Sequence, residues 1–229
     1  MTGNSIAFDG VGHSFDGRPV LHGISVELTE HRIGIIGANG SGKSTLARMM
    51  NGLILPESGT VTVNGRNVAK NKRAVRRDVG FIFADPDRQI IMPTVAEDIE
   101  LSLTRTIGDK RERRERARTV LADFGLLDQA DQPSHTLSGG QKQLLALASI
   151  MVIGPRILVA DEPTTMLDLR NSRMLQRALT GLDEQLIVLT HDLDMLTGFD
   201  RVLVIDDGRI VADDAPGPAV DHYRKLMGS

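Results

Sequence analysis

The chain has 229 residues, 41% of them hydrophobic and 25% charged, proportions of a soluble globular protein with enough length for one compact α/β unit and a sizeable core. A net charge of -3 excludes a general electrostatic attraction to nucleic acid or anionic lipid. The absence of cysteine excludes disulfides and thiolate metal sites and fits a cytosolic protein.

The opening MTGNSIAFDG has neither the basic start nor the apolar stretch of a secretory leader. Residues 24–28 (ISVEL) alternate as a half-buried strand, whereas 33–36 (IGII) are continuously apolar, as a parallel strand covered on both faces is. The next stretch, GANGSGKST from Gly37 to Thr45, fits G-x-x-x-x-G-K-[ST], with Gly37, Gly42, Lys43 and Ser44 at the fixed positions. It lies between that strand and a helical segment, Leu46 to Met50, which is the context the pattern needs. Main-chain N–H groups of such a loop wrap a phosphate at a helix N-terminus, helped by Gly40 and Gly42, which have no side chain in the way. Lys43 then reaches the β- and γ-phosphates, and the Ser44 hydroxyl ligates Mg²⁺. Asn39, Ser41 and Thr45 complete the set of expected nucleotide-binding positions in the loop.

Further along, residues 60–63 (TVTV) followed by Asn64-Gly65 read as a strand entering a hairpin turn. A strand from Val79 to Phe83 precedes the stretch ADPDRQIIMPTV, and Thr94 with Glu97 has capping-box spacing, which predicts a helix starting at Thr94. Two basic runs, 70–77 (KNKRAVRR) and 110–118 (KRERRERAR), lack interleaved aromatics and read as solvated faces rather than nucleic-acid patches. In the second, Glu112 precedes Arg116 by four residues, a spacing that supports an exposed helix.

LSGGQ, residues 137 to 141, opens the apolar run from Leu144 to Ile153, a block about half the length needed to cross a bilayer. A serine and two glycines at a helix start offer a hydroxyl, free N–H groups and the positive end of the dipole to an anion. The alternative is that Gly139-Gly140 lets two helices approach closely. In RILVADEPT, 156–164, a buried strand ends in Asp161-Glu162 and so delivers two carboxylates to the carboxyl edge of a parallel sheet, where ligands of open α/β folds bind. Asp161 suits Mg²⁺ and Glu162 the orientation or deprotonation of an attacking water; without the phosphate loop, a helix N-cap would explain two acids equally well. His191 follows the buried strand 186–189 at the same expected edge, and 202–205 with Asp207-Gly208 and Ile210-Val211 reads as a closing hairpin. The alternation predicts an α/β fold with a mostly parallel sheet, plus antiparallel strands near the N-terminus.

The phosphate loop, LSGGQ, ILVADEPT, MLD at 166–168 and LTHD at 189–192, in this order, resemble the ATP-binding subunit of ABC transporters. The resemblance implies a P-loop NTPase core, an N-terminal antiparallel β subdomain and a helical subdomain at about residues 85–155 that carries the signature motif, all within one cassette over residues 1–229. It also implies that Phe15 stacks on adenine, that Asp168 is the acid of the D-loop, and that His191 is a switch at the γ-phosphate. Ser138, Gly139, Gly140 and Gln141 then face the nucleotide of a partner cassette, so that two ATP molecules with Mg²⁺ are held head to tail between two copies.

One position departs from the family: Ala84 stands where a glutamine is usual, and Gln89 lies five residues on. The stretch from Asp85 to Val95 is similar to that of energy-coupling-factor (ECF) importer ATPases, a compact biotin-transport type in particular, with no room for a C-terminal accessory domain after the last hairpin. That resemblance implies a motor for a vitamin, biotin favoured, or metal importer. Such a motor is peripheral on the cytoplasmic face of the membrane and partnered by a transmembrane coupling subunit and a substrate-binding membrane subunit, with no nucleic acid. The alternative is a soluble ATPase of iron-sulfur cluster assembly; the region between Lys43 and Ser138 carries no sustained heptads of the DNA-repair type.

Overall fold

The computed structural model describes residues 3–228. The strands in chain order are β1 (Ile6–Phe15), β2 (Arg18–Leu28), β3 (Arg32–Ile36), β4 (Ser58–Val63), β5 (Arg66–Asn67), β6 (Val79–Ile82), β7 (Ile157–Asp161), β8 (Gln185–Leu189), β9 (Arg201–Asp206) and β10 (Arg209–Asp214). The helices are α1 (Lys43–Met50), α2 (Lys72–Asp78), α3 (Val95–Leu103), α4 (Lys110–Asp123), α5 (Gly139–Met151), α6 (Leu169–Thr180) and α7 (Pro216–Met227). They form two compact units: one runs to Phe81 and resumes over Arg156–Glu162 and from Leu182 onward, and the other comprises Ile82–Pro155 and Pro163–Gly181.

The first unit contains two sheets. An antiparallel sheet has the order β2-β1-β4-β5, and a six-stranded sheet has the order β10-β9-β3-β8-β7-β6. In the larger sheet β3 pairs in parallel with β8 and β9, and β7 pairs in parallel with β8, whereas β10 runs antiparallel to β9. The central strands are buried throughout, residues 157–160, 186–189 and 202–205 being wholly inaccessible. This is why they are unbroken aliphatic runs rather than alternating ones. Ile35 and Asp161 both pair with Leu189, so β3, β8 and β7 end at one level.

Two elements carry weak sequence signals. β1 is interrupted by register shifts between Phe8 and Val11 and again beyond it, and Asp9, Gly10 and Gly12 break the alternation that would betray a strand. α7 opens on Pro216-Gly217-Pro218, a composition that reads as a loop although proline is well placed in a first helical turn.

The second unit is helical. Thr94 precedes α3 with Glu97 accepting from both its N–H and its hydroxyl, as the spacing anticipates. The basic run 110–118 lies on α4, which buries only Ala117, Val120 and Leu121. Within the helix Arg111 pairs with Glu115 at 3.0 Å, in place of the Glu112 and Arg116 spacing, while Arg114 and Arg118 reach Asp131. The other basic run falls on α2, in the first unit. The strand expected to reach Phe83 stops at Ile82, and past its end the Phe83 carbonyl accepts from the Gln143 side chain at 3.0 Å.

Asp98 knits this unit together. Only 4% exposed, it accepts from the N–H groups of Ile91 (2.8 Å) and Met92 (3.1 Å) and from the Ser149 hydroxyl of α5 (2.8 Å). Asp98→Ala should cost about 2–4 kcal/mol in urea unfolding, since two N–H groups lose their acceptor. Asp98→Asn should cost less, its amide oxygen still serving both.

Candidate functional site

The loop after β3 is glycine-rich for steric reasons. A Cβ on Gly37 would sit 2.0 Å from the Ile205 carbonyl oxygen, and one on Gly42 (φ 101°) 2.8 Å from that of Val20. The turn between β9 and β10 anchors the same loop: the Gly208 N–H donates to the Ser41 carbonyl at 3.1 Å and the His22 N–H to the Gly208 carbonyl at 3.0 Å. Asn39 and Gly40 stay exposed at the tip, while Ser41 and Thr45 are buried. The first turn of α1 contains no acidic residue, so its positive end is not neutralised by its own side chains.

Lys43 and Ser44 open that helix. The Lys43 ammonium, 6% exposed, donates to the carbonyls of Gly37 (2.7 Å) and Ala38 (2.9 Å). Burial pulls its pKa below the usual lysine value, and the charges of Glu162 and Asp161 oppose that pull. The Ser44 hydroxyl donates to Asp161 Oδ1 at 2.8 Å, and Arg48, one turn on, brings Nη2 to 3.7 Å from Oδ2. Burial pushes the Asp161 carboxyl above the ordinary range; the Ser44 hydrogen bond and the Arg48 charge hold it back in part.

At Glu162 the chain turns sharply in the left-handed region, φ 53°, a conformation that costs a side-chain-bearing residue about 1–3 kcal/mol. The turn is fixed by the Glu162 N–H donating to the Leu189 carbonyl at 2.9 Å. His191 stands two residues beyond Leu189, and its Nδ1 lies 2.7 Å from Glu162 Oε2. A carboxylate only accepts, so Nδ1 is the donating nitrogen of this pair. Asp161 lies within β7 and Glu162 in the turn that follows, so neither acid caps a helix; α6 is capped by Asp168 instead.

Lys43, Ser44, Asp161, Glu162 and His191 thus converge at one sheet edge within the first unit. Phe15, at the end of β1 before the tight Asp16-Gly17 turn, is 47% exposed and meets His13 edge to face, centroids 4.7 Å apart. Ser138, Gly139, Gly140, Gln141 and Asp168 belong to the second unit. There the Ser138 N–H donates to Gln141 Oε1 at 2.9 Å and the Gln141 N–H to Ser138 Oγ at 3.3 Å, a reciprocal cap on α5. Ser138 and Gly139 are exposed. Gly140 is buried, and a Cβ there would lie 2.5 Å from Asn171 Cγ, so close packing accounts for this second glycine. At Gly139 the nearest atom would be 3.4 Å away, and packing makes no such demand. Asp168 accepts from the Asn171 N–H at 2.8 Å and from its side chain at 2.9 Å.

Ala84 is half-buried, and Gln89 is committed elsewhere: its Nε2 donates to the Ala146 carbonyl of α5 at 3.1 Å. Sequence reading missed two residues. Arg48 could have been found from its i+4 spacing to Ser44, which puts both on one helix face. Gln143, 1% exposed and bonded to the carbonyls of Phe83 and Pro163, carries no sequence signal beyond being an amide inside an apolar run. Among the described residues, no group of three or more His, Cys, Asp or Glu could hold a metal, and no helix is long and apolar enough to cross a membrane.

Residues 21–165 match the family described as ABC transporter. The chain is 47% identical to the biotin transport ATP-binding protein BioM of Rhizobium etli over 97% of this chain and 99% of that protein. It is 34% identical to the energy-coupling factor transporter ATP-binding protein EcfA1 of Mycoplasma pneumoniae over 96% of this chain and 82% of that one. Among solved structures, cbiO1 of Clostridium perfringens, described as part of the ABC transporter complex cbiONQ, is similar with a TM-score of 0.83 at 29% identity, over 97% of this chain and 92% of that chain. The matched span takes in the phosphate loop, LSGGQ and the two acids at the end of β7, and with the α/β architecture around them it follows that the chain belongs to the ABC transporter family, as an ATP-binding and ATP-hydrolysing member.

Proposed function

We propose that this chain is the ATP-hydrolysing subunit of an ECF-type importer, with biotin the favoured cargo and a metal ion the other. The likeness to BioM along nearly all of both chains supports the cargo, and the Glu162–His191 pair beside Lys43, Ser44 and Asp161 carries the chemistry.

The loop from Gly37 to Thr45 cradles the triphosphate. Two features fit that ligand: the Ser41 hydroxyl oxygen is buried without a partner among the described residues, and the Lys43 ammonium is satisfied only by two carbonyls of its own loop. Ser44 and Asp161, whose side chains meet at 2.8 Å, are hard oxygen donors that would hold Mg²⁺. An ion held there would supply charge neutralisation for the phosphates. Glu162 orients the attacking water and draws its proton, and His191 fixes the carboxylate and stands ready for the γ-phosphate. Phe15 stacks on adenine. Ser138, Gly139, Gly140, Gln141 and Asp168 complete the site of a second copy, so turnover follows closure of a dimer.

The helical unit supplies the face toward the membrane partners, a coupling subunit and a substrate-binding subunit, with the chain peripheral at the cytoplasmic side. Its apolar Ile91 is 74% exposed, and a groove nearby in sequence is lined by Met92, Glu97, Glu100, Leu101, Thr104 and Arg113. Capture from native membranes in mild detergent should recover integral membrane subunits; recovery with soluble partners alone would overturn the importer reading.

Glu162→Gln should lower steady-state ATP turnover by at least about 100-fold while leaving nucleotide binding intact, the loss expected when a general base is removed. The same variant with ATP should elute as a dimer. Unchanged hydrolysis would remove Glu162 from its role.

Asp161 gives a pH-dependent test. Its folded pKa is raised, so the native chain binds the proton more readily than the unfolded chain, and its ionisation destabilises the nucleotide-free fold as pH rises through that window. Asp161→Asn should therefore raise the melting temperature of the nucleotide-free protein by a few degrees at neutral pH. The gain should shrink on acidification, as the wild-type carboxyl takes up its proton, and the variant should lose the stabilisation that Mg²⁺ adds to bound nucleotide.

A further inference from the structure

The side chain of Gln143 occupies an unusual position in α5. Its single NH₂ group gives one hydrogen to the Phe83 carbonyl at 3.0 Å and the other to the Pro163 carbonyl at 2.9 Å, and both donors are thereby used. The orientation is unambiguous, because the flipped amide would set its oxygen against two carbonyl oxygens. Its own oxygen, Oε1, is buried and has no partner among the described residues. For stability alone this is a poor choice: a methionine of similar length would fill the space without an unmet acceptor.

The two carbonyls stand at particular points of the chain. Phe83 immediately precedes Ala84 and lies just past the passage from the first unit to the second at Phe81 and Ile82; Pro163 immediately follows Glu162 and is the first residue after the next such passage. α5 holds the 83–89 stretch by other means too, since Lys142 pairs with Asp87 at 2.7 Å and the Ala146 carbonyl accepts from Gln89. Gln143 alone among these also reaches the residue after Glu162. Ala84 has no polar side chain with which to bind a ligand or ion, so the main chain around it is what the helix can hold.

We propose that Gln143 is a positioning residue for hydrolysis: by fixing the Phe83 and Pro163 carbonyls to one point on α5, it sets the backbone on which Glu162 is carried, and so ties the competence of Glu162 to the helix that LSGGQ opens. This rests on the hydrolytic role proposed for Glu162. The consequence is a separation of turnover from affinity, because the Gln143 side chain spends its donors on the Phe83 and Pro163 carbonyls and not on the phosphate loop.

Two variants of the full chain test it. Gln143→Met removes both donors; kcat for ATP should fall about ten-fold or more, while KM and the affinity for a non-hydrolysable ATP analogue stay within about two-fold, the pattern of a misplaced catalytic group. Hydrogen exchange at residues 164–166 should quicken and exchange within α4 should not. Gln143→Glu keeps the shape but faces two carbonyls with a carboxylate; it should be as impaired near neutral pH and recover in part on acidification, when the protonated acid regains one donor, so its kcat profile is displaced to lower pH than that of the wild type. Wild-type turnover in Gln143→Met, parallel loss of turnover and affinity, or a Gln143→Glu profile parallel to that of the wild type would each overturn the proposal. If Glu162→Gln proved fully active, the hydrolytic reading would fall by itself, and unaltered exchange at 164–166 in Gln143→Met would separately sink the tie.

Discussion

The level at which β3, β8 and β7 end governs this molecule. Ile35 and Asp161 flank Leu189 in the pairing, and from that line the three chains leave the sheet as the phosphate loop, the segment to His191 and the turn at Glu162. A slip of one residue in β7 would turn Asp161 to the opposite face of the sheet and part it from Ser44, because successive strand residues alternate sides. Wholly buried aliphatic strands resist such a slip, since each register error would misplace several large side chains at once. The polar edge is therefore held by the apolar layer beneath it, and a buried lysine and a buried aspartate can persist there although both are disfavoured in their charged forms.

Much of this was legible in the sequence for one reason: a parallel strand followed by a loop chemistry leaves two coincident marks, an apolar run and a polar ending. Residues 33–36, 157–160 and 186–189 each show both, and each delivers a residue of the candidate site. Helix starts were legible where the cap is made from side chains, as at Thr94 and Ser138. What stayed hidden lacks a local pattern. β1 owes its existence to pairing with β2 and β4 across long stretches of chain, and its glycines and bulges erase the alternation. α7 is disguised by its prolines. Gly140 was open to two readings, and Asn171, thirty-one residues away in sequence, would have to shift to admit a side chain there. Gln143 is the extreme case: a single amide whose importance lies in two carbonyls remote from it in the chain.

Ala84 carries no polar side chain, and the amides nearest it in this unit are turned inward. Gln89 and Gln143 both turn toward the helix or the main chain around it. The region after β6 is thus braced from within the helical unit, by hydrogen bonds to backbone atoms that do not depend on which side chains surround them. Such bracing makes the segment behave as an extension of α5.

The Ser138–Gln141 cap has an implication for how the protein exists between working cycles. Each residue satisfies the other, so the helix tip is complete without any neighbour, and the serine still has its hydroxyl proton to offer. A tip that required a companion to cap it would fray in isolation and commit the chain to permanent pairing. This one leaves the tip of a lone copy intact and keeps a donor in reserve for a group arriving from outside the chain.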